Sequence, residues 1–213
     1  MSPHIWLLPV ILITAGCDND VENSIASPER EVPVATEFCA DGDSHTNTGV
    51  FGPDNVWWHT DASELPPDLI GTGFDAGDTA RDFVLIDQHG DAVQLYQFYG
   101  QVIVLELFVS WCASCKELTG IGQGLWEELE DDGFVYLSVM LEDTNGDAPG
   151  APAAAEWASR FDLTHPVLVD TVGDQRDYVS IGYPTIVIID RDMTILVPDF
   201  WPLDPIWIAD FVR

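Results

Sequence analysis

The feature that most constrains the fold is the run Val102–Val109, which is apolar on both faces apart from a single charge, Glu106. A strand with one solvated face alternates apolar and polar residues, whereas a central strand covered on both faces reads as a nearly continuous apolar run. A helical segment is predicted directly after it, over 112–130. A buried strand that turns into a helix is typical of α/β sheets with helices on both faces.

Short apolar runs and helical segments continue to alternate along the chain. Strands are predicted at 83–86, 92–95, 134–141, 167–169, 185–189 and 194–197, and helices at 153–161 and 204–212. Pro152 is expected to open the first of these helices, and Asp204 to cap the second with Pro205 at its first position. Gly120, Gly122 and Gly124 each weaken the helix over 112–130, by up to about 1 kcal/mol. The pattern predicts an α/β domain over 79–213.

The residues before this domain have a different composition. Residues 18–36 are polar and acidic and contain two prolines, as expected of a tether. Residues 37–78 are rich in Gly, Asp and Asn yet contain several aromatic side chains, which indicates an irregular segment that packs onto another part of the protein. Together, residues 18–78 are predicted to be an acidic, irregular N-terminal extension.

The first seventeen residues have the pattern of an export signal. Residues 5–14 are apolar but too few to span a bilayer as a helix. They end in Thr14-Ala15-Gly16-Cys17, which resembles a bacterial lipoprotein cleavage box, although Thr14 stands where Leu is usual and no Lys or Arg precedes the run. We therefore expect an exported protein of the cell envelope, anchored to the membrane by a lipid on Cys17 and facing the periplasm. The alternatives are a plain cleaved signal or an uncleaved apolar start.

The charge balance excludes several classes of partner. The chain has 37 Asp and Glu against 7 Lys and Arg, a formal net charge of −30. Nucleic acids and anionic lipid headgroups both require a basic surface, so neither is an expected partner. The acidity indicates a heavily solvated surface, with steering of basic protein partners as the alternative.

Cys112 and Cys115 lie where the central strand is predicted to turn into the helix, separated by two residues. A thiol at the start of a helix faces unpaired backbone N–H groups and the positive end of the helix dipole, which favour the thiolate. Cys112 is therefore the predicted attacking sulfur, with a lowered pKa, and Cys115, one turn further in, the resolving thiol. The alternatives are half of a zinc site, for which no other closely spaced Cys/His pair exists, and a structural disulfide. We predict no metal and no cofactor, and Cys39 is left without an assigned role.

The residues around the dithiol resemble the thioredoxin-like superfamily, in particular its membrane-tethered thiol–disulfide oxidoreductases of the cell envelope. Three segments carry the resemblance: residues 111–116, the strand entry at 83–90, and Gly182-Tyr183-Pro184-Thr185 before an apolar strand. It implies a mixed central sheet flanked by helices over 79–213. It also implies a cis bond between Tyr183 and Pro184 beside the dithiol, where both residues and Trp111 would contact an extended substrate segment.

Two departures from the family pattern leave questions open. Ala113 and Ser114 stand between the cysteines in place of the Gly-Pro of thioredoxin, and these residues help to set the reduction potential. The direction of electron flow is therefore left open. Tyr183 is bulkier than the residue usual at its position, so we expect less room for a substrate segment beside the dithiol.

Glu106 lies six residues before Cys112, where thioredoxins carry a buried acid that exchanges protons with the second cysteine. Burial of an unpaired carboxylate is costly and raises its pKa. The resemblance therefore implies a general acid/base for Cys115. The alternative is a glutamate at the edge of the sheet that reaches solvent.

The predicted function is that of a thiol–disulfide oxidoreductase acting on protein disulfides in the cell envelope. Its expected partners are protein thiols and disulfides and an upstream electron donor or acceptor. A thiol peroxidase is an alternative, but it requires Thr or Ser where Val109 stands. A non-catalytic lipoprotein with a structural disulfide is another.

Overall fold

The computed structural model describes Trp57, Thr60 and residues 64–213. The predicted signal, Cys17, Cys39 and residues 18–56 of the extension lie outside these residues. The strands are β1 (Val84–Asp87), β2 (Ala92–Gln94), β3 (Val102–Val109), β4 (Phe134–Glu142), β5 (Val167–Val169), β6 (Thr185–Ile189) and β7 (Ile195–Val197). The helices are α1 (Ala113–Leu129), α2 (Ala151–Arg160) and α3 (Pro205–Val212), and short 3-10 turns occupy Leu95–Phe98, Glu130–Asp132 and Asp174–Tyr178.

The strands of the described residues form one mixed sheet in the order β2-β1-β5-β4-β3-β6-β7. Strands β3, β4 and β5 run parallel, while β6 and β1 join the two sides of this group antiparallel. Every residue of β3 is buried. The prediction of a central strand covered on both faces is confirmed, and a side chain on β3 reaches solvent on neither side.

Helices cover both faces of the sheet, as predicted. Val102 and Val104 of β3 pack into an apolar cluster that also holds residues of α1 and α3. The alternate residues Ile103 and Leu105 belong to a second cluster that includes Trp157 and other residues of α2. The period-two alternation of a strand thus divides the core into two layers.

The start of helix α2 differs slightly from the predicted bound. Helix α2 begins at Ala151 and not at Ala153, with Gly150 as N-cap and Pro152 inside its first turn. A proline is tolerated there because N–H groups of the first turn have no partner within the helix. Helix α3 begins as predicted, since the Asp204 carboxylate accepts hydrogen bonds from the N–H groups of residues 206 and 207.

The glycines of α1 have different structural roles. A Cβ atom added to Gly122 would lie 2.6 Å from the Tyr136 ring, whereas Gly120 and Gly124 face open space. Gly122 therefore permits a close approach of α1 to β4 that any other residue would prevent. For this residue, the helix-weakening effect expected from the sequence is offset by packing.

Several described residues before position 79 contact the domain over 79–213. The Trp57 indole N–H donates a hydrogen bond of 2.7 Å to the buried Asp87 carboxylate. The Thr60 backbone N–H donates to the Gln97 carbonyl at 2.7 Å. The Phe74 ring packs edge-on against Tyr178, with centroids 4.6 Å apart.

Candidate active site

Cys112 is the N-cap residue of α1, three residues after the end of β3. Its sulfur accepts a hydrogen bond of 3.2 Å from the Cys115 backbone N–H, which is one of the donors that a helix start leaves without an internal partner. The Ser114 hydroxyl lies 3.3 Å from the same sulfur. Negative charge on Cys112 is therefore stabilised by a backbone donor, a hydroxyl and the dipole of a seventeen-residue helix.

Cys112 and Cys115 form a disulfide, with their Cα atoms 5.3 Å apart. The two sulfurs differ in accessibility, because Cys112 retains 8% of its surface while Cys115 is fully buried. The predicted order of coverage is confirmed. Of the two cysteines, only Cys112 retains surface that a partner could reach, as an attacking thiol requires, and the division of roles stays a prediction.

The loop before β6 lies against the dithiol. The Tyr183–Pro184 peptide bond is cis, as the family resemblance predicted. The Tyr183 carbonyl oxygen lies 3.6 Å from the Cys112 sulfur. Strand β6 pairs with β3, which precedes the dithiol, and this pairing brings two distant parts of the sequence to one place.

A hydrogen-bonded rim surrounds the exposed side of the dithiol. Trp111 is 52% exposed, and its indole N–H donates to the Glu142 carboxylate at 3.0 Å. The Arg176 guanidinium donates to the same carboxylate at 2.9 Å and to the Tyr183 hydroxyl at 2.9 Å. The Trp111 and Tyr183 rings meet edge-on, with centroids 6.3 Å apart. The rim holds two aromatic side chains in fixed positions beside Cys112.

Sequence reasoning missed Glu142 and Arg176 at this rim. Arg176 is one of only 7 Lys and Arg residues in the chain. This rarity is the one feature of the sequence that could have indicated a role for it. The hydrogen bond to Glu142 is the main cause that raises the Arg176 pKa above its usual value. The guanidinium therefore contributes a permanent positive charge within an acidic protein.

Glu106 lies in the middle of the sheet and retains 2% of its surface. It faces Ser138 of β4 and Ile186 of β6 across the ladder, so the alternative of an edge glutamate is excluded. The Ser138 hydroxyl donates to Glu106 Oε2 at 2.9 Å. The Tyr136 hydroxyl is the other polar group beside this carboxylate, although it makes no hydrogen bond of standard geometry.

Burial raises the pKa of Glu106 to about 7, against the smaller opposing effect of the Ser138 hydrogen bond. The predicted direction is confirmed. A carboxyl group with this pKa exchanges its proton near neutral pH, which is the range in which general acid/base catalysis is most efficient. Cys115, closed in the disulfide, has no proton to share in this state.

Sequence reasoning also missed a buried histidine that is linked to Glu106. Ser138 Oγ lies 3.1 Å from Nε2 of His165, which retains 1% of its surface. Burial lowers the pKa of His165 to about 3, so the imidazole is neutral at physiological pH. No motif marks His165 in the sequence, because it lies in the loop before β5 and reaches Glu106 only through a residue of β4.

The proposed membrane attachment at Cys17 lies outside the described residues. Among the residues that the structure describes, no helix combines the length and the apolar character required to cross a bilayer.

Solved structures with a similar fold come from several bacteria. A structure from Chlorobium tepidum, described as a candidate thiol:disulfide interchange protein DsbE, superposes with a TM-score of 0.54 and 26% identity. It covers 64% of this chain and 94% of that one. The thioredoxin domain of a thiol-disulfide oxidoreductase from Bacteroides vulgatus gives a TM-score of 0.56 at 19% identity, over 65% of this chain and 99% of that one. The thioredoxin-like fold is confirmed.

Curated relatives have related names. The thioredoxin-like protein YneN of Bacillus subtilis is 28% identical over 56% of this chain and 68% of its own length. The thiol-disulfide oxidoreductase ResA of Oceanobacillus iheyensis is 30% identical over 50% of this chain and 54% of its own length. The predicted relationship to thioredoxin-like thiol–disulfide oxidoreductases, and with it the predicted class of enzyme, is confirmed.

A family model matches the part of the chain that contains the candidate active site. The model of the AhpC/TSA family matches residues 76–197, which include the dithiol, Glu106, the rim and the Tyr183–Pro184 bond. The chain belongs to the AhpC/TSA family.

Proposed function

We propose that this protein exchanges disulfides with other proteins in the cell envelope, through Cys112 and Cys115. The observation that carries the proposal is the asymmetry of the dithiol. One sulfur is accessible at a helix N-terminus beside the Tyr183 backbone carbonyl, and the other is sealed in the core. A purely structural disulfide requires neither an accessible sulfur nor a buried carboxyl group with a pKa near 7.

The first step is attack by the reduced protein. The Cys112 thiolate attacks one sulfur of a substrate disulfide, a mixed disulfide forms, and the other substrate sulfur leaves as a thiolate. The helix start stabilises the attacking thiolate. Trp111, Tyr183 and Pro184 contact the substrate segment, and the Tyr183 carbonyl, 3.6 Å from the Cys112 sulfur, is available to a substrate N–H group.

The second step is resolution of the mixed disulfide. Glu106 takes the proton of the Cys115 thiol, and the resulting thiolate attacks the Cys112 sulfur. The second substrate thiol leaves, and the Cys112–Cys115 disulfide seen in the structure forms. Two electrons pass to the substrate, and an upstream thiol donor must reduce the protein again. The same steps run in reverse oxidise a substrate dithiol, with an upstream acceptor in place of the donor.

The proposed location rests on the sequence alone. The apolar residues 5–14 and the Thr14-Ala15-Gly16-Cys17 motif support export and a lipid anchor on Cys17. A tethered domain facing the periplasm would meet protein disulfides, which persist in that compartment.

The test separates attack from resolution. Reduced protein is mixed with a dithiobis-nitrobenzoate, which releases one coloured thiolate on attack by Cys112 and a second on resolution by Cys115. We expect two phases in the parent, one phase with a stable adduct in Cys115→Ser, and none at this rate in Cys112→Ser, all in a Cys17→Ser, Cys39→Ser background. We expect Glu106→Gln to slow only the second phase, roughly tenfold or more.

Protein substrates and peroxide provide the decisive controls. The parent should reduce the disulfides of insulin, and Cys115→Ser should capture envelope proteins as mixed disulfides in cells. A parent that leaves insulin disulfides intact, or that reduces a hydroperoxide faster than a disulfide, would reject the proposal in favour of a structural disulfide or a peroxidase.

A further inference from the structure

A buried chain of hydrogen bonds continues from Glu106 into helix α1. Glu106 Oε2 lies 2.9 Å from Ser138 Oγ, which lies 3.1 Å from His165 Nε2. On the other side of the imidazole, His165 Nδ1 lies 3.1 Å from Gln123 Oε1. These side chains come from β3, β4, the loop before β5 and α1, and each retains 8% of its surface or less.

The orientation of Gln123 fixes the tautomer of His165. Gln123 Oε1 accepts the Thr164 backbone N–H at 2.9 Å, while its amide nitrogen donates to Glu127 Oε1 at 2.9 Å and to Thr164 Oγ1 at 2.8 Å. The atom that faces His165 is therefore a carbonyl oxygen, which only accepts. Nδ1 must carry the proton, and Nε2 of the neutral imidazole is left as an acceptor toward Ser138.

Ser138 has one hydroxyl hydrogen and two neighbours that compete for it. When Glu106 is protonated, its O–H donates to Ser138 Oγ, the Ser138 hydroxyl donates to His165 Nε2, and every group has a partner. When Glu106 is ionised, the hydroxyl must turn to the carboxylate, and His165 Nε2 loses its donor. An unpaired buried acceptor is costly, so His165 favours the protonated form of Glu106.

We propose that His165 is a positioning residue that strengthens Glu106 as a base, by competing with the carboxylate for the hydroxyl hydrogen of Ser138. The inference rests on the proposed role of Glu106 in resolution. His165 does not need to become charged, and no proton needs to pass through Gln123, because an amide is a poor proton carrier. The contribution of Gln123 is to hold the imidazole in the tautomer that makes the competition possible.

Other groups around the cluster do not remove this competition. The Tyr136 ring packs edge-on against His165 with centroids 5.1 Å apart. Burial, with the Glu106 charge as a lesser cause, raises the Tyr136 pKa, so this phenol stays neutral. Ile186 of β6 is apolar, and the disulfide at the start of α1 carries no charge. The exposed Glu127 is separated from the imidazole by the Gln123 amide.

Two substitutions should move the titration of Glu106 in opposite directions. Ser138→Ala removes the donor to the carboxylate and should raise the midpoint. His165→Phe removes the competitor, leaves the hydroxyl free to bind the carboxylate, and should lower the midpoint. Each shift should be about half to one pH unit, the equivalent of one hydrogen bond. Ser138→Thr keeps the hydroxyl and serves as the matched control, with a midpoint close to that of the parent.

The measurement is the pH titration of the Glu106 carboxyl carbon by ¹³C NMR, on the oxidised full chain, with the signal assigned from Glu106→Gln. This readout does not depend on catalysis. If Glu106→Gln leaves resolution unchanged, the proposed role of Glu106 fails while the midpoints still decide whether His165 tunes the carboxyl group.

The proposal would be overturned if the Glu106 midpoints of Ser138→Ala and His165→Phe shifted in the same direction, or if the midpoint of His165→Phe were unchanged. Should His165→Phe fail to fold, the ring ¹⁵N shifts of His165 in the parent provide a second test. The Nδ1–H tautomer supports the competition, whereas the Nε2–H tautomer excludes it, because Nε2 would then donate to Ser138.

Discussion

Replacing Glu106 by Gln should stabilise the protein at neutral and alkaline pH and change its stability little near pH 5. The carboxyl group is buried, and its one hydrogen bond of standard geometry in the described residues comes from Ser138. An ionised carboxylate in this place is poorly compensated. Gln has nearly the same shape and can accept the same hydrogen bond, but it never becomes charged.

The magnitude follows from the pKa of Glu106. Burial raises this pKa from the ordinary value of 4.5 to about 7. Between these values the folded protein keeps a proton that the unfolded chain has lost, so the free energy of unfolding falls as the pH rises. Each pH unit corresponds to about 1.4 kcal/mol, and the loss reaches about 3 kcal/mol above pH 7 and then stays constant. A carboxylate paired with a cation has the opposite effect, because it makes the free energy of unfolding rise with pH.

The assay is denaturant unfolding of the oxidised parent and variant between pH 5 and 8.5. The acid limit avoids the region of the isoelectric point, which is near 4.1. Contributions of the other acidic groups are common to both proteins and cancel in the difference. Over this range the variant should gain roughly 2–3 kcal/mol relative to the parent. Glu117→Gln, an exposed substitution on α1, is the matched control and should differ by about 0.5 kcal/mol or less at every pH.

A difference between Glu106→Gln and the parent that does not change with pH would refute the argument. A variant destabilised at pH 8 would show that Glu106 is the partner of a cation. In either case the carboxyl group would not hold a proton near neutral pH, and it could not act as the base for Cys115.

Three further predictions concern other parts of the molecule. Gly122→Ala should destabilise the protein by more than about 1 kcal/mol in denaturant unfolding, because its Cβ would meet the Tyr136 ring, while Gly120→Ala should stabilise it by up to about 1 kcal/mol. Arg176→Met should change stability by less than about 1 kcal/mol, since its ion pair is solvent-exposed, but it should raise the KM for insulin by releasing the aromatic rim. Cys17→Ser should move the protein from the detergent phase to the aqueous phase or block its processing, and a parent that is already aqueous would contradict the lipid anchor.

Those parts of the fold that depend on local pattern could be predicted from the sequence. Strands β3, β5 and β6 have the bounds that their apolar runs indicate, because a strand buried on both faces reads as a nearly continuous apolar run with polar or turn residues on either side. The position of Cys112 at the start of α1 followed from the same junction. Segment ends with mixed character shifted by one or two residues, as at α2, which begins at Ala151 and not at Ala153.

The parts of the site that depend on tertiary contacts could not be predicted in this way. Arg176 and Glu142 meet at 2.9 Å across 34 residues of sequence, and His165 reaches Gln123 across 42 residues. Neither pair has a spacing rule, since each side chain is brought into place by the order of the strands. Glu106 was found because it is the one charge in an apolar strand and lies six residues before Cys112, where thioredoxins carry a buried acid.

The two cysteines are governed by different physical effects, although three residues separate them. Cys112 retains 8% of its surface at a helix N-terminus, where the Cys115 backbone N–H would stabilise its thiolate. Its proposed reactivity therefore depends on local helix geometry. Cys115 is sealed in the core, where water cannot take its proton. In the proposed mechanism its reactivity therefore depends on the Glu106 carboxyl group, which β3 supplies from inside the sheet. The long buried strand is therefore both the structural centre of the fold and the source of the proposed base. A substitution that alters the start of α1 should change the rate of attack by Cys112. One that alters Glu106 of β3 or Ser138 of β4 should change the rate of resolution by Cys115.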